Sequence, residues 1–248
     1  KIIQPDDIET HVFVVDSGIT KHVDLKDKLA PSDHISLVED SRCTNILDPF
    51  CDTDSHGTHV AGTIASDNSG YNPKALLHAV KIFDSSGSTD SSTIVKAAEY
   101  LINIKKTTYK DKIVIGNFSL TTLNNNLMNN IFKTLHLEGV LSIVAAGNFG
   151  KDACSYSPAS VPEVLTVGAT DQYDNIASFS NFGSCVDLFA PGHIIYSTSN
   201  DGVGYVYKSG TSMATPITAG FASAIAGYFR LKNPDDIIKK IFEFTLEG

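Results

Sequence analysis

A serine hydroxyl is a weak nucleophile near neutral pH. It becomes effective when an imidazole takes its proton and a carboxylate fixes the tautomer of that imidazole and stabilises its charged form. A carbonyl under attack also needs hydrogen-bond donors where its oxyanion develops. Four segments of the sequence offer these groups, each flanked by glycines or small residues that leave the backbone open. Asp16 lies in Val14-Val15-Asp16-Ser17-Gly18, and His56 in Asp54-Ser55-His56-Gly57-Thr58-His59-Val60-Ala61-Gly62. Ser212 lies in Gly210-Thr211-Ser212-Met213-Ala214-Thr215-Pro216, and Asn148 follows Ala145-Ala146-Gly147. Singly, each has a plainer reading: an Asp after a strand is usually a turn or cap residue, and a Ser at a helix start is usually a cap. Together they supply a nucleophile, a base, an orienting acid and an oxyanion donor.

Elements of fixed type must bring these residues to one place. Short β-branched runs predict strands over 11–16, 76–83, 112–119, 140–146, 164–169 and 186–189. Helical periodicity predicts helices over 58–66, 91–106, 124–138, 212–229 and 234–244, the last opening on Pro234. In the second of these, Ile94, Ala97, Ala98, Leu101 and Ile104 share a face. Strands that are apolar on both faces and alternate with helices predict an α/β fold in which helices cover both sides of a mostly parallel sheet. Chemistry in such sheets collects at the carboxyl ends of the strands. Asp16, Ser119 and Asn148 stand at or just past three of those ends.

The chain has 248 residues, 42% of them hydrophobic, with 19 Lys+Arg against 28 Asp+Glu and a net charge of −9. That apolar content excludes a disordered chain. The missing basic excess argues against a nucleic-acid partner, because phosphates are neutralised by Lys and Arg. No apolar run approaches the roughly 20 residues of a membrane helix. No linker or repeat divides the sequence, so a single domain is expected. The four cysteines, Cys43, Cys51, Cys154 and Cys185, are compatible by number alone with bridges or with buried thiols. A zinc set of Cys43, Cys51, His56 and His59 has suitable ligand types. The two-residue gap between the histidines is shorter than common zinc spacings, however, and His59 reads better as a packed helix residue.

The three blocks around Asp16, His56 and Ser212, in that order, resemble the subtilisin (subtilase) family of serine peptidases, whose acid, base and nucleophile follow the same order. Residues 156–171 and 179–192 resemble the proteinase K branch in particular, and the likeness runs from about residue 11 to about residue 230. The resemblance implies a three-layer subtilisin-like α/β fold. It also implies peptide-bond hydrolysis through an acyl-enzyme on Ser212, with His56 as general base, Asp16 orienting it, and Asn148 and the Ser212 N–H as oxyanion donors. In subtilisin, losing the side-chain donor lowers kcat by about 10²–10³. No catalytic cofactor is implied.

By the same resemblance, an extended peptide would pair with Ser86-Gly87-Ser88 on one side and Ser119-Leu120-Thr121 on the other. Ala145, Ala146 and Gly147 would wall the pocket beside the scissile bond. A structural calcium ion would be held by the carbonyls of Pro162 and Val164 and the carboxylate of Asp187. The bridges implied are Cys154–Cys185 and Cys43–Cys51, which place the protein in an oxidising compartment, secreted or vacuolar. One departure stands out. The family has Ser-Leu-Gly-Gly where this chain has Ser119-Leu120-Thr121-Thr122, so a branched side chain sits where a peptide backbone should approach, and a narrowed or redirected groove is expected.

Two rival readings compete with this one. A non-catalytic peptide-binding module would explain Thr121 and Thr122 but has no need of all four reactive residues. An α/β-hydrolase esterase places its serine in G-x-S-x-G ahead of the acid and histidine, unlike this chain. The triplet Asn117-Phe118-Ser119 matches a glycosylation acceptor but falls in a predicted buried strand, and is expected to be unused. Residues 1–248 are expected to be one catalytic domain trimmed at both ends. The expected partners are protein or peptide substrates and the family's N-terminal inhibitory pro-segment, absent here, with no nucleic acid, no membrane and a monomeric state.

Overall fold

The strand Thr10–Asp16 (β1) is buried along its whole length, as its unbroken apolar run requires. Successive side chains of a strand point to opposite faces. Val12 and Val14 therefore enter one core while Phe13 and Val15 enter another. The computed structural model, which describes residues 8–246, shows what fills each core. Helices His56–Ala65 (α1), Thr211–Phe229 (α4) and Pro234–Phe242 (α5) bring Val60, Ile64, Ala219, Ala222 and Ile237 to the first. Ser91–Lys106 (α2) and Asn126–Leu137 (α3) bring Ile94, Ala97, Leu101, Met128 and Phe132 to the second.

Between the helix layers lies a seven-stranded sheet. Its strands in chain order are β1, Ile35–Ser36 (β2), Leu76–Lys81 (β3), Ile113–Phe118 (β4), Leu141–Ala145 (β6), Leu165–Thr170 (β8) and Leu188–Pro191 (β9). Their order across the sheet is β2-β3-β1-β4-β6-β8-β9, and every neighbouring pair is parallel. This is the expected three-layer α/β architecture. The strand order turns back between β1 and β4, the place where such sheets open a crevice at their carboxyl ends. Asp16 ends β1, and Ser119 follows β4.

Three features depart from the sequence reading. The first helix begins at His56 rather than Thr58. The last sheet strand runs over Leu188–Pro191, displaced from 186–189. Short pairings also went unseen: β2, the antiparallel pair Thr122–Leu123 (β5) with Tyr156–Ser157 (β7), and the hairpin Ile195–Thr198 (β10) with Tyr205–Lys208 (β11). These are partly exposed or only two residues long, so they lack the apolar runs that marked the rest. Among the described residues no helix is long and apolar enough to cross a membrane.

Both expected bridges form, Cys43–Cys51 and Cys154–Cys185. Asn117 is fully buried in β4 and donates from Nδ2 to Ser119 Oγ (3.0 Å), so the glycosylation triplet is closed to modification in the folded chain.

Lys81, at the end of β3, is a buried cation. Its ammonium lies 3.2 Å from the buried Asp40 carboxylate and donates to the Ser17 carbonyl beside Asp16. Asp40 also accepts from Thr53 Oγ1 (2.6 Å) and the Arg42 N–H (3.0 Å). Burial alone would raise the Asp40 carboxyl, but the Thr53 hydroxyl, the Arg42 amide and the Lys81 ammonium outweigh it and hold it at about 2. A carboxyl depressed in this way adds stability above its unfolded value near 4, which is lost as pH falls toward 2. Removing one partner of a buried pair leaves the other uncompensated, so Asp40→Asn is expected to cost about 3–5 kcal/mol in denaturant unfolding at neutral pH. The variant should also lose stability less steeply than the parent between about pH 4 and pH 2.

Candidate active site

Asp16 is fully buried, and its two carboxylate oxygens lie 2.8 and 3.0 Å from His56 Nδ1. One of them also accepts from the Ser17 N–H (2.7 Å). A carboxylate only accepts, so the histidine proton sits on Nδ1 and Nε2 is left with its lone pair. The His56 side chain keeps 26% of its surface exposed. Burial lowers the basicity of this imidazole, but the charge and hydrogen bond of Asp16 more than compensate, and its pKa stands above the usual histidine value.

A third carboxylate seats the helix that carries this base. Asp52 is buried and accepts five hydrogen bonds: from Ser17 Oγ, the Asp54 and Ser55 N–H groups, and the Thr58 N–H and Oγ1, at 2.6–3.1 Å. It satisfies the free amides at the start of α1 and explains why the helix begins early. Ser17 Oγ in turn accepts from the Gly57 N–H (2.9 Å). The helix start and the exit of β1 come so close that a Cβ on Gly57 would lie 2.2 Å from the Gly18 carbonyl, so position 57 must be glycine.

Ser212 is half-buried in the first turn of α4. Pro216, four residues on, has no N–H for the Ser212 carbonyl. Ser119 Oγ takes that role, donating to the Ser212 carbonyl at 2.9 Å, while Ser212 Oγ donates to the Ser119 carbonyl at 3.2 Å. The Asp16–His56 arm of the expected relay is therefore formed, whereas the Ser212 hydroxyl rests on Ser119 and not on His56.

Asn148 has its amide orientation fixed. Its Oδ1 accepts from the Thr211 N–H (2.8 Å) and Thr211 Oγ1 (3.0 Å), which leaves Nδ2 as the outward donor. The Met213 N–H is taken by the Gly210 carbonyl. Of the three amides Thr211, Ser212 and Met213, only that of Ser212 has no acceptor among the described residues. Buried Asn181 braces the same wall, donating to the Ala146 carbonyl (2.8 Å) and accepting from the Phe149 (3.0 Å) and Lys151 (3.1 Å) N–H groups.

Ser86, Gly87 and Ser88 form an exposed turn closed by Asp84, which accepts from the Ser86 and Ser88 N–H groups. Ser119, Leu120 and Thr121 follow β4, and Ala145 ends β6 with Ala146 and Gly147 just past it. Thr121 keeps a negative φ, and its hydroxyl donates to the Ala145 carbonyl (3.2 Å). His59 is buried and donates from Nε2 toward the Ile195 and Val206 carbonyls, and burial pushes its pKa down to about 4. Cys43 and Cys51 are joined to each other, which removes the thiolates a zinc site would need.

The subtilase family model matches residues 7–242. The chain belongs to the subtilase family. This subtilase is 37% identical over 221 residues to proteinase T of Parengyodontium album, an alignment covering 88% of this chain and 71% of that protein. It is 34% identical over 240 residues to an extracellular serine proteinase of a Thermus species, covering 95% of this chain and 55% of that protein. A cold-adapted subtilisin-like serine proteinase of solved structure superposes with a TM-score of 0.81 at 33% identity, over 94% of this chain and 81% of that one. These relatives are proteinases, which leaves the binding-module reading without support. The subtilase domain spans about half the length of several curated relatives, 49%, 56% and 55%.

Sequence reasoning missed Asp52, Asp40, Lys81, Thr211 and Asn181. A lysine ending an otherwise apolar strand was a readable sign of a buried pair, and an Asp just ahead of a helix was a readable sign of a cap. Asn181 carried no separate signal. The Ser119–Pro216 relation is testable. Ser119→Ala leaves the Ser212 carbonyl unpaired and should cost about 1–3 kcal/mol in urea unfolding, measured with Ser212→Ala throughout to prevent self-digestion. Pro216→Ala restores an N–H to that carbonyl, so on its background the cost should shrink by about 1 kcal/mol.

Proposed function

We propose that this subtilase is the catalytic domain of an endopeptidase that cleaves peptide bonds in proteins through an acyl-enzyme on Ser212. The observation that carries the reading is the buried Asp16 carboxylate, which takes up His56 Nδ1 and turns the basic Nε2 outward. In the first step the Ser212 hydroxyl leaves the Ser119 carbonyl and attacks the substrate carbonyl as its proton passes to His56 Nε2. The oxyanion accepts from Asn148 Nδ2 and the Ser212 N–H. The tetrahedral species collapses to the acyl-enzyme as His56 returns the proton to the leaving amine. Water activated at His56 then releases the acyl group. Substrate main chain would pair with residues 86–88 and 119–121 as an added strand.

The cysteines support an oxidising compartment for this activity. Two disulfides fit a secreted or vacuolar protein. The proposed partners are protein substrates and the N-terminal pro-segment of the family. A structural calcium ion also fits. Asp187 gives one oxygen to the Thr166 N–H (2.7 Å) and has no Lys or Arg within ion-pair distance among the described residues, while burial raises its carboxyl pKa. A carboxylate without such a counter-charge, held at Thr166 just after the segment that carries the Pro162 and Val164 carbonyls, makes a hard-oxygen set suited to calcium.

A fluorophosphonate should label the protein stoichiometrically and fail on Ser212→Ala; an unlabelled folded parent would overturn the proposal. Asp16→Asn should lower kcat by about 10⁴, as the equivalent change does in chymotrypsin-type enzymes. The raised pKa of His56 favours its charged form, which adds stability at low pH, whereas catalysis needs the neutral form. The acid limb of kcat/KM should therefore fall with a midpoint above the ordinary histidine value near 6.5. A calcium chelator should lower the melting temperature of the parent and leave Asp187→Asn unmoved.

A further inference from the structure

We infer that Thr121 plugs the primary side-chain pocket and restricts cleavage to bonds with glycine, alanine or serine on their acyl side. The inference rests on the peptidase reading above and names the substrates that the site would take.

The two walls of the pocket leave the sheet side by side. In the β4–β6 ladder Phe118 lies opposite Val144, so Ser119 and Ala145 emerge together. One wall touches the nucleophile through the Ser119 carbonyl, and the other is tied to its helix by the Gly147 N–H, which donates to Thr211 Oγ1 (3.1 Å). A substrate side chain next to the attacked carbonyl has to enter between them. Ala145, Ala146 and Gly147 are small and leave that space open on their side. Thr121 takes it back from the other. Its hydroxyl reaches across to the Ala145 carbonyl (3.2 Å), and its methyl lies 3.1 Å from where a Cβ on Gly147 would be.

The plug is also held from both ends. Ser119 is fixed by its paired bonds with Ser212, and Thr122 pairs with Ser157 in the β5–β7 ladder. A β-branched side chain has few rotamers to escape into. A large aromatic or leucyl side chain would have to break the Thr121–Ala145 bond and displace a braced segment, whereas a hydrogen, methyl or hydroxymethyl group need not.

The test uses the full-length protein and internally quenched peptides that differ only in the acyl-side residue: Gly, Ala, Ser, Leu or Phe. The parent should cleave the Ala and Ser peptides with kcat/KM at least about tenfold above Leu and Phe, the scale on which pocket size discriminates. Thr121→Gly should raise the Leu-to-Ala and Phe-to-Ala ratios of kcat/KM by about tenfold or more. Thr121→Ser, which keeps the hydroxyl and loses the methyl, should fall between. Equal or better cleavage of Phe or Leu by the parent overturns the inference, as does a Thr121→Gly variant that speeds all five peptides alike. Fluorophosphonate titration counts competent sites in each variant. Should Thr121→Gly fail to label, an unchanged Phe-to-Ala ratio in Thr121→Ser is the overturning result. A parent that does not label at all defeats the peptidase reading itself, whereas a labelled parent with a flat profile defeats only the plug.

Discussion

A proline in the second turn of a helix leaves one carbonyl without a donor, and in this protein that carbonyl belongs to Ser212. A buried, unpaired carbonyl is costly, so something outside the helix must serve it. Ser119 does, and accepts the Ser212 hydroxyl in return. Two short contacts thus weld the start of α4 to the carboxyl end of β4, and the parallel register of β4 with β1 carries the position across to Asp16. The site inherits its geometry from the sheet because of a hydrogen bond that the helix cannot make for itself.

His56 is seated by a different means. His56 opens α1, and the free amides there converge on Asp52, while Asp16 stands fully buried behind the imidazole. Three carboxylates, at positions 16, 40 and 52, therefore crowd around the exit of β1. Each is matched differently: Asp16 by an imidazole, Asp40 by an ammonium and a hydroxyl, Asp52 by amides and hydroxyls. This division lets negative charge collect beside a base without leaving any of it uncompensated.

Much of this was legible in the residues. The sheet and its flanking helices announced themselves because β1, β4 and β6 are apolar on both faces and α2 repeats its buried positions at helical spacing. Asp16, His56, Ser212 and Asn148 could be chosen because their chemistry is distinctive and their flanks are small. The supporting shell was not legible in the same way. Asn181 matters through bonds to amides 32 and 30 residues away, which no pattern of types records, and the place of Asp52 ahead of a helix suggests a cap without showing that it also takes the Ser17 hydroxyl. The hairpin of β10 and β11 escaped because its exposed and half-exposed tyrosines look like loop until their partner strand is known. Thr121 was visible as a departure, but its reach to the Ala145 carbonyl needed coordinates.

The Cys43–Cys51 bridge sits between two of the carboxylates just described, with Asp40 upstream of it and Asp52 downstream. Closed, it turns the intervening segment into a small ring that delivers both acids together, one to the lysine at the end of β3 and one to the helix that carries His56. Opened by a reductant, the same segment becomes slack, and each acid must find its place separately against its own loss of chain freedom. The imidazole of His56 thus owes its firm footing to the oxidation state of two sulfur atoms that never touch it.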